Sequence, residues 1–131
     1  MVTDPIADML IRIKNAQAVK KETVSFEHSH IKMEIAKTLE RAGYLGGIER
    51  KSRKGGKSIE VKLLYDNTLS PKISGLKRVS KSSRRVYRGW REIYPPKNGF
   101  GVGIYSTPKG LKTDKEARKE KAGGELLLEI W

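Results

Sequence analysis

The sequence predicts an α/β (α+β) protein built as two small mixed domains, residues 1–67 and 68–131. Three observations carry this. Apolar residues recur at helical spacing in two separate stretches near the start of the chain. Two strand-like stretches then flank Lys54-Gly55-Gly56-Lys57, a hairpin turn. Past the turn-rich residues 66–71, glycine and proline become dense and the apolar stretches short. A chain of 131 residues buries roughly two-thirds of its unfolded surface, enough for a core without covalent staples. With 37% hydrophobic residues it is not a disordered chain.

The first helix is announced by Asp4 as cap and Pro5 in the first turn, after which Ile6, Met9, Leu10 and Ile13 repeat at +3, +4 and +7. Asp8, Arg12 and Asn15 form a polar stripe on the opposite face. Residues 23–26 read as extended. A second helix begins near Ser29, with Ile31, Ile35, Leu39 and Ala42 as its apolar stripe and Gly43 as its C-terminal cap. Residues 48–53 and 59–65 are strands, the second with Ile59, Val61, Leu63 and Tyr65 on one face; both hairpin glycines are available for the positive φ the turn requires. The first domain therefore reads helix, strand, helix, strand, strand.

In the second domain Val79 and Val86-Tyr87 mark short strands. Residues 90–97 hold a helical turn that Pro95-Pro96 cuts off. Residues 102–105 and 126–131 are strand candidates. Residues 105–114 read as a strand end and a tight loop leading into a helix. That helix opens on the capping box Thr113-Asp114-Lys115-Glu116, runs to about Lys121, and is ended by Gly123-Gly124.

The absence of cysteine excludes disulfides, cysteine-ligated metal and thiol catalysis. His28 and His30, at i and i+2, point to opposite faces of a strand and do not share a metal. Gly56-Lys57-Ser58 resembles the end of a phosphate-binding loop, but Lys51 stands where that loop needs glycine. Gly99, Gly101 and Gly103 miss the dinucleotide spacing and suit close backbone packing where a strand starts. No nucleophile has its base and no carboxylates are matched, so the chain is expected to be no enzyme and to use no cofactor and no metal. No apolar run approaches the roughly 20 residues of a membrane span, and no secretory signal opens the chain, so a cytoplasmic protein is expected.

Charge gives the positive signal. Twenty-eight Lys and Arg against fifteen Asp and Glu leave a net +13, which calls for a polyanionic partner, nucleic acid first and an anionic membrane surface second. Most of the excess falls after residue 67. Residues 72–91 hold Lys72, Lys77, Arg78, Lys81, Arg84, Arg85, Arg88 and Arg91 with no acidic residue between them. Interleaved Ser80, Ser82, Ser83, Tyr87 and Trp90 add hydroxyls and stacking faces, which tilts the partner to nucleic acid. Residues 105–114 present small hydroxyls, a proline, a lysine and a glycine on a stiff turn, a platform suited to the sugars, phosphates and base edges of folded RNA.

Several of these stretches also carry a family resemblance. Thr3-Asp4-Pro5-Ile6-Ala7-Asp8-Met9-Leu10-Ile11-Arg12-Ile13-Lys14-Asn15 closely resembles the opening of the eighth small-subunit ribosomal protein of bacteria. So do Arg78-Val79-Ser80, Arg85-Val86-Tyr87, Ser106-Thr107-Pro108-Lys109-Gly110, Thr113-Asp114, Ala117-Arg118 and Gly123-Gly124-Glu125, in the same order and with similar spacing. The resemblance implies a two-domain ribosomal protein that binds the central domain of small-subunit ribosomal RNA early in assembly. It also implies contact with neighbouring small-subunit proteins and repression of its own operon through the messenger RNA. By that resemblance, RNA contacts fall to Ser106, Thr107, Lys109, Gly110, Gly124 and Glu125, with Tyr87 nearby, and to Arg12, Lys14 and Asn15 on the first helix as a second contact; Pro108 within the loop and Arg84 and Arg85 of the basic run complete the expected RNA-binding set. The chain departs from the family pattern at Pro108, where serine is usual, and at Tyr105 and Lys112, where aliphatic residues are usual; residues 45–75 match only loosely.

Overall fold

The computed structural model describes residues 4–131; Thr3 of the opening motif lies outside the described residues. Helices and two antiparallel sheets make a mixed α+β structure. The chain divides into two compact units, one ending at Ile73 and one from Ser74 to Trp131.

In the first unit, α1 (Pro5–Ala18) starts where the Asp4 carboxylate accepts the Ile6 and Ala7 amides at 3.1 Å each. Ile6, Met9, Leu10 and Ile13 are buried, as their spacing predicts. After β1 (Thr23–Glu27), α2 (His30–Arg41) is capped by the Ser29 hydroxyl, which accepts the Lys32 amide. Its buried stripe is Met33, Ile35, Ala36 and Leu39; Ile31 and Ala42, at the helix ends, are only partly covered. Gly43, at φ +87°, closes the helix, its own amide reaching Glu40 and the Tyr44 amide reaching Leu39.

Strands β2 (Leu45–Arg53) and β3 (Gly56–Leu63) complete an antiparallel sheet in the order β1-β3-β2. Ile59, Val61 and Leu63 of the central strand are buried. β2 starts three residues earlier than the sequence predicts, because a register shift between Leu45 and Ile48 hides the alternation. β3 ends at Leu63, and Tyr65 instead forms an isolated bridge with Pro71. Only Gly56 of the hairpin glycines has a positive φ, +117°; Gly55 does not need one. The turn at residues 66–70 closes on the Asp66 carboxylate, which accepts the Thr68 hydroxyl and the Thr68 and Ser70 amides. Those hydrogen bonds hold its pKa below the usual carboxylate range. Gln17 donates to the Ile73 carbonyl at 2.9 Å, keeping this last segment with the first unit.

The second unit is a sheet in the order β4 (Leu76–Arg78), β8 (Gly124–Ile130), β6 (Val102–Thr107), β7 (Gly110–Thr113), with β5 (Tyr87–Arg88) also pairing with β8. Ile93, Tyr105, Ala117 and Leu126 form a core that Val79, Val86 and Trp90 flank. Trp90–Glu92 is a short 3-10 turn, and the chain turns again at Lys97–Gly99. Both arms of the capping box are made: Glu116 N to Thr113 Oγ1 at 3.2 Å, and Thr113 N to Glu116 Oε1 at 2.9 Å.

The second unit also differs in places from the sequence-based expectation. Where the sequence predicts a strand end and a tight loop leading into a helix, β6 does end at Thr107 but only Pro108 and Lys109 form the loop; β7 follows as the second strand of a hairpin, hidden in the sequence because its four residues carry one apolar side chain, Leu111. Helix α3 (Asp114–Lys119) is ended not by glycine but by Lys121 at φ +55°, whose amide reaches Arg118 while the Ala122 amide reaches Ala117. Gly123 and Gly124 serve instead for close approach. A Cβ on Gly123 would stand 2.6 Å from the Arg88 carbonyl oxygen, and one on Gly124 would run into the Ser106 carbonyl. Further along β8, Ile104 pairs with Leu128 and Tyr105 with Leu126, so Leu127 is an extra residue, a bulge. Its carbonyl accepts the Val79 amide and the Arg78 guanidinium.

Gly124→Ala is expected to destabilise the protein by about 1–3 kcal/mol through overpacking against backbone that cannot yield. Gly47→Ala, where an added Cβ meets nothing within 4 Å, serves as control, with a change within about 0.5 kcal/mol. Thermal or urea unfolding of the two variants checks this.

Candidate nucleic-acid interface

Three strands bring the sequence-predicted residues to one row. Glu125 of β8 pairs with Tyr87 of β5 on one side and with Ser106 of β6 on the other. Residues directly opposite in an antiparallel ladder project to the same face, so Tyr87, Glu125 and Ser106 stand side by side. Tyr87 is 68% exposed. Arg85 donates to Glu125 Oε2 at 3.0 Å, pinning a carboxylate whose side chain is only 15% exposed. The Ser106 hydroxyl makes no hydrogen bond to another described residue.

The hairpin beyond this row has a two-residue loop, Pro108-Lys109, between paired Thr107 and Gly110. Neither loop residue has a positive φ; the left-handed residue is Gly110, at +110°. Proline fits the first corner of such a turn because its ring presets φ. Thr107 faces inward. Its hydroxyl donates to the Gly110 carbonyl at 2.8 Å and accepts the Lys109 amide at 3.2 Å, so it closes the turn that displays Pro108 and Lys109 to solvent. The other departures from the family pattern are also accommodated. Lys112 pairs with Glu120 at 3.3 Å, and buried Tyr105 receives a hydrogen bond from Arg88 at 3.2 Å. Burial pushes the Tyr105 phenol pKa up, against the opposing pull of Arg88.

The eight basic residues of the run are not equivalent. Arg78 donates to a backbone carbonyl, Arg85 to Glu125, and Arg88 to the hydroxyls of Tyr105 and Tyr94 with its guanidinium 4.5 Å from the Tyr94 ring centre. These three brace the sheet. Lys72, Lys77, Lys81, Arg84 and Arg91 are exposed, Arg84 in a tight turn paired with Lys81. Sequence spacing does not reveal this division, because it depends on strand register.

In the first unit, Arg12 is exposed and paired with Asp8 at 3.2 Å. Arg12 and Asn15 line an open groove with Lys21, Thr23 and Ser25. Lys14 lies about 200° around the helix from Arg12 and does not share that face. Among the described residues no three His, Asp or Glu side chains gather as a metal site, and no helix is long and apolar enough to cross a membrane.

Comparison with known proteins gives the same family along the whole chain. The family model for ribosomal protein S8 matches residues 4–131. Small ribosomal subunit protein uS8 of Persephonella marina is 49% identical, with all of both chains covered. Its namesake in Thermus aquaticus is 44% identical, again over all of both chains. That of Clostridioides difficile strain 630 is 43% identical over 99% of this chain and 98% of the relative. A family match across every described residue, joined to relatives well above the identity at which folds diverge, establishes that the chain belongs to the ribosomal protein S8 family.

Proposed function

We propose that this protein binds the central domain of small-subunit ribosomal RNA directly and supports assembly of the small subunit in the cytoplasm, alongside neighbouring small-subunit proteins. The observation that carries the reading is the row of Tyr87, Glu125 and Ser106 beside the exposed Pro108-Lys109 tip. The row offers a stacking ring, a pinned acceptor and an open hydroxyl at fixed spacing, groups that read the shape and edges of an irregular RNA helix. Lys109, with Arg84 and the other exposed cations, supplies sequence-independent attraction to phosphates. Residues 68–131 form the RNA-binding domain in this reading, with Arg12 and Asn15 on α1 as a second contact and Lys14 contributing charge from another face. The same surface suits a messenger RNA site shaped like the ribosomal one, which would let the protein repress its own operon. No reaction is assigned, the family being structural.

The test is binding of the full chain to a transcript of the central domain, against an unrelated duplex, over a range of salt concentrations. Log affinity is expected to fall linearly with log salt. A flat response, or equal affinity for both RNAs, overturns the proposal. Lys109→Ala is expected to weaken both RNAs alike and to lower the salt slope by about one.

Thr107 tests the hairpin. Thr107→Ala removes two turn-closing hydrogen bonds and is expected to cost about 1–3 kcal/mol of cognate affinity, while Thr107→Ser, which keeps the hydroxyl, retains most of it. Equal affinity of all three proteins for the cognate transcript would remove the hairpin from the recognition surface.

A further inference from the structure

Helices α2 and α3 end in the same way, with one residue in the left-handed region whose amide, and the next, close the last turn. In α2 that residue is Gly43, which adopts the conformation without strain. In α3 it is Lys121, at φ +55°, a conformation that disfavours any side chain. Helix-end charge is no reason to place a lysine there, since Arg118 and Lys119 already occupy the last turn.

What the lysine does is reach Trp90. Its ammonium lies 5.6 Å from the Trp90 ring centre, and the Arg91 guanidinium lies 5.2 Å from the same ring. Neither cation has a carboxylate partner among the described residues. The ring that both cations approach is anchored. Trp90 packs on the core of Ile93, Tyr105, Ala117 and Leu126, and Arg118 donates to the Ile93 carbonyl at 2.7 Å, tying α3 to the turn that carries Trp90. Gly123 lets the chain beyond Lys121 touch the backbone of residues 88–90, where a Cβ would stand 3.0 Å from the Trp90 amide nitrogen. Two like charges are thus gathered at one anchored indole, each within 6 Å of its centre, attracted to the ring and repelling the other. An anion within reach of both cations offsets that repulsion.

We infer that Arg91 and Lys121, organised by Trp90, bind a phosphate of the RNA backbone as a contact separate from the Ser106–Gly110 hairpin. The inference rests on the RNA-binding reading above. Arg91 supplies a planar fork of donors to the phosphate oxygens and Lys121 a point charge. Trp90 gathers the two cations at one place on the surface and touches no RNA.

The experiment uses the full chain, a transcript of the central domain of small-subunit ribosomal RNA, and the variants Lys121→Gly and Arg91→Gln. Lys121→Gly removes the charge while placing the residue best suited to that backbone, so its thermal midpoint is expected to hold or rise, and lost binding is then not lost folding. Each variant is expected to weaken binding roughly three- to tenfold near physiological salt and to reduce the salt slope by about one. Both variants binding with the wild-type affinity and slope, while Lys109→Ala is weakened, overturns this inference and leaves the RNA reading intact. A wild-type protein that does not prefer the transcript over an unrelated duplex overturns the RNA reading and takes this inference with it.

Discussion

The second unit depends on backbone meeting backbone at Gly123 and Gly124. Where most neighbouring segments are separated by side chains, here the start of β8 lies directly on the Arg88 carbonyl at one side and on Ser106 and Thr107 at the other. Interiors are packed at crystal-like density, so even a methyl group has nowhere to go. The contact fixes two pairings together, β5 against β8 and β8 against β6. Tyr87, Glu125 and Ser106 share a row because the glycines hold their strands in that alignment. The Gly-Gly-Glu stretch is therefore first a packing device, and the placement of Glu125 follows from it.

A basic run is a poor guide to which cations meet a polyanion. Of the eight in residues 72–91, three are engaged by the protein's own groups, a carbonyl, a carboxylate and two phenols. Arg88 illustrates the difference: by sequence it sits beside exposed Tyr87, yet its guanidinium lies between Tyr105 and Tyr94. Arginine suits such internal bracing because its planar fork makes several directed hydrogen bonds at once. Lysines at positions 72, 77 and 81 stay in solvent. The net charge is right as a long-range field, while geometry decides which side chains deliver it.

Legibility in the sequence followed locality. Helix α1 could be read residue by residue, since Asp4, Pro5 and the apolar spacing all act within a few positions. The α3 capping box was equally plain. Strand β7 was not, because a short strand with one apolar residue is recognisable only beside its partner β6. The end of α3 is hidden for a related reason: glycines suggest a helix stop, yet Lys121 takes the left-handed turn and the glycines answer to strands distant in sequence. At the candidate site, the residue types on the hairpin were visible in advance. That the Thr107 hydroxyl turns inward while that of Ser106 stays open follows from hairpin register, which no local pattern encodes.

The bulge at Leu127 bears on how this surface can change over generations. Side chains alternate along a strand, so one extra residue reverses which way everything beyond it points. With the bulge, Tyr105 enters the core opposite Leu126 while Glu125 and Ser106 emerge together. Exchanging Glu125 for another residue alters a single group of the row. Losing or gaining one residue there inverts the strand and scatters the row. The segment is therefore intolerant of any change in length, whereas the Lys54-Gly55 turn, capped by Gly56 and open to solvent, can lengthen without disturbing either sheet face.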